Sequence, residues 1–289
     1  MRFLDDQALE RLRGVCDAPD LAGTRYELRE LLGRGGMGAV FRVYDRELER
    51  DAALKVLDDL GAAVELDEAR LLAKLEHPGI VPVHDAGTLP DGRAYFVMKL
   101  VRGARLDAWA KTASLSQLLR AFQKICEAVA FAHNRAIVHR DLKPSNVMVG
   151  EFGEVLTLDW GIAQVAHAAT DVAGTPRYMA PEQARGEADA RSDVYSLGAM
   201  LREVLPANPP APVRSICVKA MSEEPQQRYG GAMELYEDLA RFLDRERVTA
   251  HPEDAYEKTL RLAGNHRVLV GLVLAYLVMR AVLIVWKFG

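Results

Sequence analysis

His139-Arg140-Asp141-Leu142-Lys143-Pro144-Ser145-Asn146 is the stretch on which the reading of this chain turns. It gathers an acid, cations, an amide and a proline into eight positions. Apolar Ala136-Ile137-Val138 leads in and Val147-Met148-Val149 leads out, so the pattern predicts a polar loop pinned between two buried strands. In such a loop Asp141 can accept a proton, Lys143 can hold an anion and Asn146 can ligate a hard cation. Those are the groups needed to move a phosphoryl group, so a nucleotide site is expected elsewhere in the chain.

Upstream, Tyr26 to Leu32 alternates like a strand. Leu32-Gly33-Arg34-Gly35-Gly36-Met37-Gly38-Ala39-Val40 follows, and Ala39 to Tyr44 again reads as a strand. A dinucleotide fold requires a helix directly after its glycines. Here a strand follows, so the glycines close a hairpin whose backbone can cover phosphates without a Cβ in the way. No Gly-Lys-Ser/Thr follows, which argues against a P-loop. Lys55 interrupts the apolar run Ala52 to Leu57, and a lysine buried there needs an anionic partner. The helix expected over Glu65 to Leu75 supplies one. Glu68, a turn before inward-facing Leu72, is chosen over Glu65. Ile80 to Val83 and Ala94 to Met98 read as two more strands, with Pro90-Asp91-Gly92 turning between them. Ser116 to Asn134 has the periodicity of a core helix.

The 289 residues carry a net charge of −4, which offers no broad nucleic-acid surface. Three cysteines, Cys16, Cys126 and Cys217, lie far apart and suit a reducing compartment. The first six residues carry acid too early for a secretory signal. Phe3 to Cys16 has helical spacing, and Pro19 to Thr24 reads as linker.

Four segments in fixed order carry a resemblance: the glycine hairpin, Ala53-Leu54-Lys55, His139-Arg140-Asp141 with Asn146, and Asp159-Trp160-Gly161. Together with Gly174 to Gln183 they resemble the bacterial-type serine/threonine branch of the eukaryotic-like protein kinases. The resemblance covers about Arg25 to Leu243. It implies an α+β fold with a small β-rich lobe and a shortened helical lobe. It also implies ATP with Mg²⁺ (Mn²⁺ as a substitute) and protein substrates. Leu32 to Val40 would then cover the ATP phosphates, and Lys55 would hold them, fixed by Glu68. Met98 would be the gatekeeper, with Lys99 to Val101 as the hinge. Val40, Ala53 and Met148 would enclose adenine. Asp141 would take the substrate's proton, Lys143 would stabilise the transferring group, and Asn146 and Asp159 would hold metal. Thr175 resembles the residue bridging Asp141 and Lys143. Thr170 is the candidate phosphosite, with Arg140 as its receiver. Glu182 and Arg228 would form a structural pair, and Asp193 would cap the helix bracing the catalytic loop.

Two departures stand out. Trp160 replaces the usual phenylalanine, and its indole N–H needs a partner. After Leu205 a proline-rich connection runs straight to a helix expected over Val213 to Met221. Family members usually carry a longer segment there, including a helix that helps dock substrates and regulators.

Val268 to Trp286 is long enough for a membrane span of about twenty residues. Its one charge, Arg280, costs roughly 2.5–3.5 kcal/mol at the bilayer centre and less near its edge. The expected organisation is an N-terminal extension (1–24), a kinase domain (25–243, lobes meeting near 100), a juxtamembrane linker (244–266) and a transmembrane helix (267–287). That would place a single-pass protein at the membrane with its kinase domain cytoplasmic, and a homodimer for autophosphorylation is a candidate partner. The alternatives are an amphipathic or oligomerising tail, an ATP-binding scaffold with a trimmed lobe, and a small-molecule kinase. The intact Gly174 to Glu182 segment argues against the last.

Overall fold

A computed structural model describes residues 18–35, 38–58, 75–160, 174–255, 257–259, 261, 271, 272, 275–280, 283 and 286. The first lobe is one antiparallel sheet. Its strands are β1 (Tyr26–Gly35), β2 (Gly38–Asp45), β3 (Arg50–Leu57), β4 (Val83–Thr88) and β5 (Ala94–Lys99), in the order β1-β2-β3-β5-β4. β3 is central and buried on both faces from Ala52 to Leu57, which is why it reads as a continuous apolar run. The register sets Val40 opposite Lys55 and Ala53 opposite Met98. At the hairpin, Gly38 has φ 138°, and a Cβ there would run into the Val56 carbonyl, so only glycine fits.

The expected strand over Ile80 to Val83 shifts downstream, because β4 starts at Val83. Pro82 has no N–H to give a ladder. It contributes only its carbonyl, which accepts from Lys99 N at 3.2 Å. Pro19 is buried, and Leu21 packs against the sheet core, so the stretch expected to be linker lies against the lobe.

The second lobe holds β6 (Gly103–Arg105), β7 (Val147–Gly150) and β8 (Val155–Thr157) in one small sheet. Its helices are α1 (Leu106–Ala110), α2 (Leu115–His133), α3 (Ala190–Val204), α4 (Ala211–Ala220) and α5 (Ala232–Leu243). α2 starts at a capping box in which Ser114 and Gln117 satisfy each other's backbone amides. Leu118, Leu119, Phe122, Ile125, Cys126 and Val129 form its inward stripe, against α3, α4 and α5.

Ala136 to Val138 form no strand. They turn off the end of α2, with Ala136 at φ 57° and Ile137 N bonded to Ala132 O at 3.1 Å. Only the exit from the polar loop is a strand, β7.

The cap of α3 is Asp189, whose carboxylate accepts from Arg191 N at 2.8 Å and Ser192 N at 3.2 Å. Asp193 is therefore not the cap, and its fully buried carboxylate is turned to the loop at 139–141. The short connection brings α4 directly onto α3. Gly198 makes that approach possible, since a Cβ there would lie 2.6 Å from the Ala220 Cβ.

The chain remains on the lobe after α5. Val248 is core, and buried Asp238 accepts from Thr249 N (2.8 Å), Thr249 Oγ1 (2.6 Å), Ala250 N (3.0 Å) and Tyr229 OH (2.9 Å). Among the described residues no helix is long and apolar enough to cross a membrane. About half of the expected span falls outside those residues. Within it Leu272, Tyr276, Leu277, Val278, Met279, Leu283 and Trp286 are helical and exposed.

Candidate active site

The loop expected to carry chemistry is tied down from below by α3. Asp193 accepts from His139 N at 2.8 Å, Arg140 N at 2.9 Å and His133 Nε2 at 2.8 Å. Burial alone would raise this carboxyl. The hydrogen bond and charge of His133, and the His139 amide, outweigh burial and hold it below the usual carboxylate range. Because ionised Asp193 only accepts, His133 Nε2 carries the proton. Neither the brace from Asp193 nor the role of His133 has a local sequence signature.

His139 is fully buried, with Nε2 donating to Leu158 O at 3.0 Å and Nδ1 accepting from Asp141 N at 3.3 Å. These bonds define one neutral tautomer. Trp160 packs on the His139 ring at 4.6 Å between centroids, and its Nε1 donates to Thr157 O at 3.4 Å. The indole thus has the partner its size and polarity require. Arg140 and Asp159 hold left-handed backbone, at φ 65° and 52°, a strain that non-glycine residues keep only where their surroundings fix them.

At Asp141 several groups converge. Lys143 Nζ lies 2.7 Å from Oδ2. Thr175 donates to Oδ1 from both N (2.9 Å) and Oγ1 (2.7 Å), and its Oγ1 also accepts from Lys143 Nζ at 2.9 Å. Asn146 Nδ2 donates to Asp141 O at 2.9 Å and to Oδ2 at 3.2 Å. Gln183, which the sequence reading did not single out, donates its amide to Arg140 O. Residues far apart in sequence thereby fix one carboxylate.

Across the cleft, Lys55 is buried in β3 and its Nζ lies 2.8 Å from Asp159 Oδ1. Burial opposes ionisation of Asp159, but the Lys55 charge prevails and keeps its carboxyl below the usual range. The Asp159 side chain is still 43% exposed, leaving an oxygen open to the cleft. Asn146 turns its nitrogen to Asp141, so its amide oxygen remains for another contact. An amide oxygen and a carboxylate suit a hard cation that keeps other oxygen ligands. Between the lobes, Ala53 and Met98 belong to one apolar cluster with Trp160, against which Val40, Val101 and Leu158 pack. Met148 stands on β7 opposite Leu156 and Arg105. Leu32, Gly33, Arg34 and Gly35 end β1, and Ala39 follows in β2. Gly36, Met37, Glu68 and Thr170 lie outside the described residues.

Glu182 and Arg228 meet as expected, in a buried two-pronged pair at 2.6 and 2.8 Å.

A lysine-anchored sheet over a braced His-Arg-Asp loop defines a class, and the comparison with known families agrees. The model of the protein kinase domain matches residues 26–252, and the chain belongs to that family. Among its relatives, serine/threonine-protein kinase PknB of Mycobacterium tuberculosis is 37% identical over 276 residues, covering 77% of this chain and 44% of that protein. The probable serine/threonine-protein kinase PknB of Bifidobacterium longum is 35% identical over 278 residues, covering 78% and 40%. The DNA damage-responsive serine/threonine-protein kinase RqkA of Deinococcus radiodurans is 41% identical over 206 residues, covering 66% and 31%. The chain thus spans less than half the length of these curated relatives.

Proposed function

We propose that this chain is a serine/threonine protein kinase that transfers the γ-phosphoryl group of ATP to protein hydroxyls. The observation that carries the reading is the convergence of Lys143, Thr175 and Asn146 on the Asp141 carboxylate. In the reaction, the substrate hydroxyl oxygen forms a bond to the γ-phosphorus. The bond from that phosphorus to the β,γ-bridging oxygen breaks, and ADP leaves with the electron pair. Asp141 orients the hydroxyl and takes its proton. Lys143 offsets charge on the transferring group. Thr175 keeps Asp141 and Lys143 at fixed separation, so little reorganisation is needed.

Lys55 is the anchor for the ATP phosphates, with Glu68 as its second partner and the hairpin from Leu32 to Val40 as cover. Ala53, Val40, Met98 and Met148 enclose the adenine. Asn146 and Asp159 hold Mg²⁺, which supplies charge neutralisation to the phosphate oxygens. Thr170 is the phosphosite that would pair with Arg140. The C-terminal apolar stretch tethers the kinase to a membrane, and a second copy of the chain is the partner for autophosphorylation. The exposed apolar residues from Leu272 to Trp286 support the tether.

The test is incorporation of radiolabelled γ-phosphate by the full chain with Mg²⁺, followed by phosphoamino-acid analysis. Label on serine or threonine is the expected result. Nucleotide binding without any incorporation would leave a scaffold in its place. That second reading draws on the short connection between α3 and α4, which removes a docking element but leaves the nucleotide cleft intact.

A further inference from the structure

A second cluster of polar groups lies away from the cleft, where the chain leaves the helical lobe. His251 is bonded at both ring nitrogens: Nδ1 to Ser215 Oγ at 3.0 Å and Nε2 to Glu257 Oε2 at 3.0 Å. Its side chain is only 12% exposed. Ser215 belongs to α4, and Glu257 to the first turn of the helical segment that begins at Ala255. A carboxylate only accepts, so Nε2 carries a proton toward Glu257, while Nδ1 and the Ser215 hydroxyl share the second bond. Glu257 is also the third residue of a capping box. Its N–H donates to Asp254 Oδ1 at 2.7 Å, and its carboxylate accepts from Asp254 N at 3.3 Å. One carboxylate therefore starts the helix and ties it to α4.

Two more contacts fix the same segment. Arg261 grips Glu253 through both carboxylate oxygens, at 2.7 and 2.9 Å. Just before His251, Thr249 and Ala250 are held on α5 by Asp238. Such charge-assisted, two-pronged bonds have strong directional preference. Among the described residues between Val248 and Arg261 there are bonds to both α4 and α5, and within the segment, where a swivelling linker would need few contacts.

We propose that Ser215, His251 and Glu257 form a latch that pins the helical segment starting at Ala255 to the kinase lobe. The latch is a positioning device: it fixes where the chain departs from α4 and α5. With the membrane tether proposed above, on which this consequence rests, that fixed point is the one from which the chain runs on to a lipid bilayer. The latch itself does not depend on the tether. The short α3–α4 connection strengthens the positioning, since α4 packs directly on α3 through Gly198, and α3 carries the Asp193 brace.

Hydrogen exchange on the full chain tests this, in detergent micelles and in phosphatidylcholine/phosphatidylglycerol nanodiscs. The wild type should protect amides from 250 to 261 in both. His251→Ala should speed their exchange about tenfold, and Ser215→Ala about threefold, with α5 amides unchanged. Both variants should keep wild-type activity on a soluble peptide. Exchange at unfolded-chain rates in the wild type, or no change in either variant, would overturn the latch. Failure to enter nanodiscs, with the protection pattern intact, would overturn the bilayer consequence and leave the latch standing.

Discussion

Replacing Arg228 by methionine should be among the most damaging single changes in the helical lobe. All five guanidinium N–H groups have a use. Nε donates to Ser222 O at 2.7 Å. The two terminal nitrogens donate to both Glu182 oxygens, to Arg191 O at 3.0 Å and to Glu223 O at 3.0 Å. The Arg228 side chain is 0% exposed and that of Glu182 is 6% exposed. Removing the cation leaves a buried carboxylate with, among the described residues, the Ser192 hydroxyl as its one side-chain donor, at 2.7 Å. Breaking one partner of such a pair costs about 3–5 kcal/mol, of which most is the penalty on the charge left behind. The paired change Arg228→Met with Glu182→Leu removes both charges and should recover much of that loss. The assay is urea unfolding of wild type, both single variants and the double variant, compared by midpoint at constant slope. A loss below about 1 kcal/mol for Arg228→Met, the range of exposed pairs, would refute the reasoning.

Gly198→Ala should destabilise the chain by about 1–3 kcal/mol, because the new methyl meets Ala220 Cβ at 2.6 Å and two helices must separate. Thermal unfolding checks this, and a stabilised variant would contradict the direct contact of α3 with α4. Acid should loosen the catalytic loop through Asp193. Its folded carboxyl lies below its ordinary value, so the stabilisation is complete above about pH 4 and is lost as pH falls through the folded value. Asp193→Asn should flatten stability against pH in that acid window, and an unchanged profile would contradict the brace.

How much of this was legible in the sequence depended on whether a residue's neighbours were local. The glycine hairpin, the lysine in β3 and the stripe on α2 are period-2 and period-3.6 patterns, and they appear within a residue or two of their expected limits. The site residues were readable because their types and order follow a shared motif. What escaped was long-range side-chain to backbone bonding. Asp189 and Asp193 lie four residues apart, and both look like acidic residues near a helix start. Only the fold shows that one caps α3 while the other holds residues 139 and 140. Asp238 reads as one more polar residue on an amphipathic helix until Thr249 and Ala250 fold back onto it. The latch at His251 escaped for the same reason, since Ser215 lies 36 positions away. Ala136 to Val138 looked like a strand because a buried turn and a short buried strand have the same apolar pattern.

The central claim is that Asp141, positioned by Lys143, Thr175 and Asn146, takes the proton of a substrate hydroxyl during phosphoryl transfer. Radiolabelled phosphate transfer by wild type and Asp141→Asn, under saturating ATP and Mg²⁺, tests it most directly. General-base action contributes about 10²–10⁴-fold, so the variant should lose at least a hundredfold in rate while still binding ATP. Equal incorporation by both proteins would contradict the account.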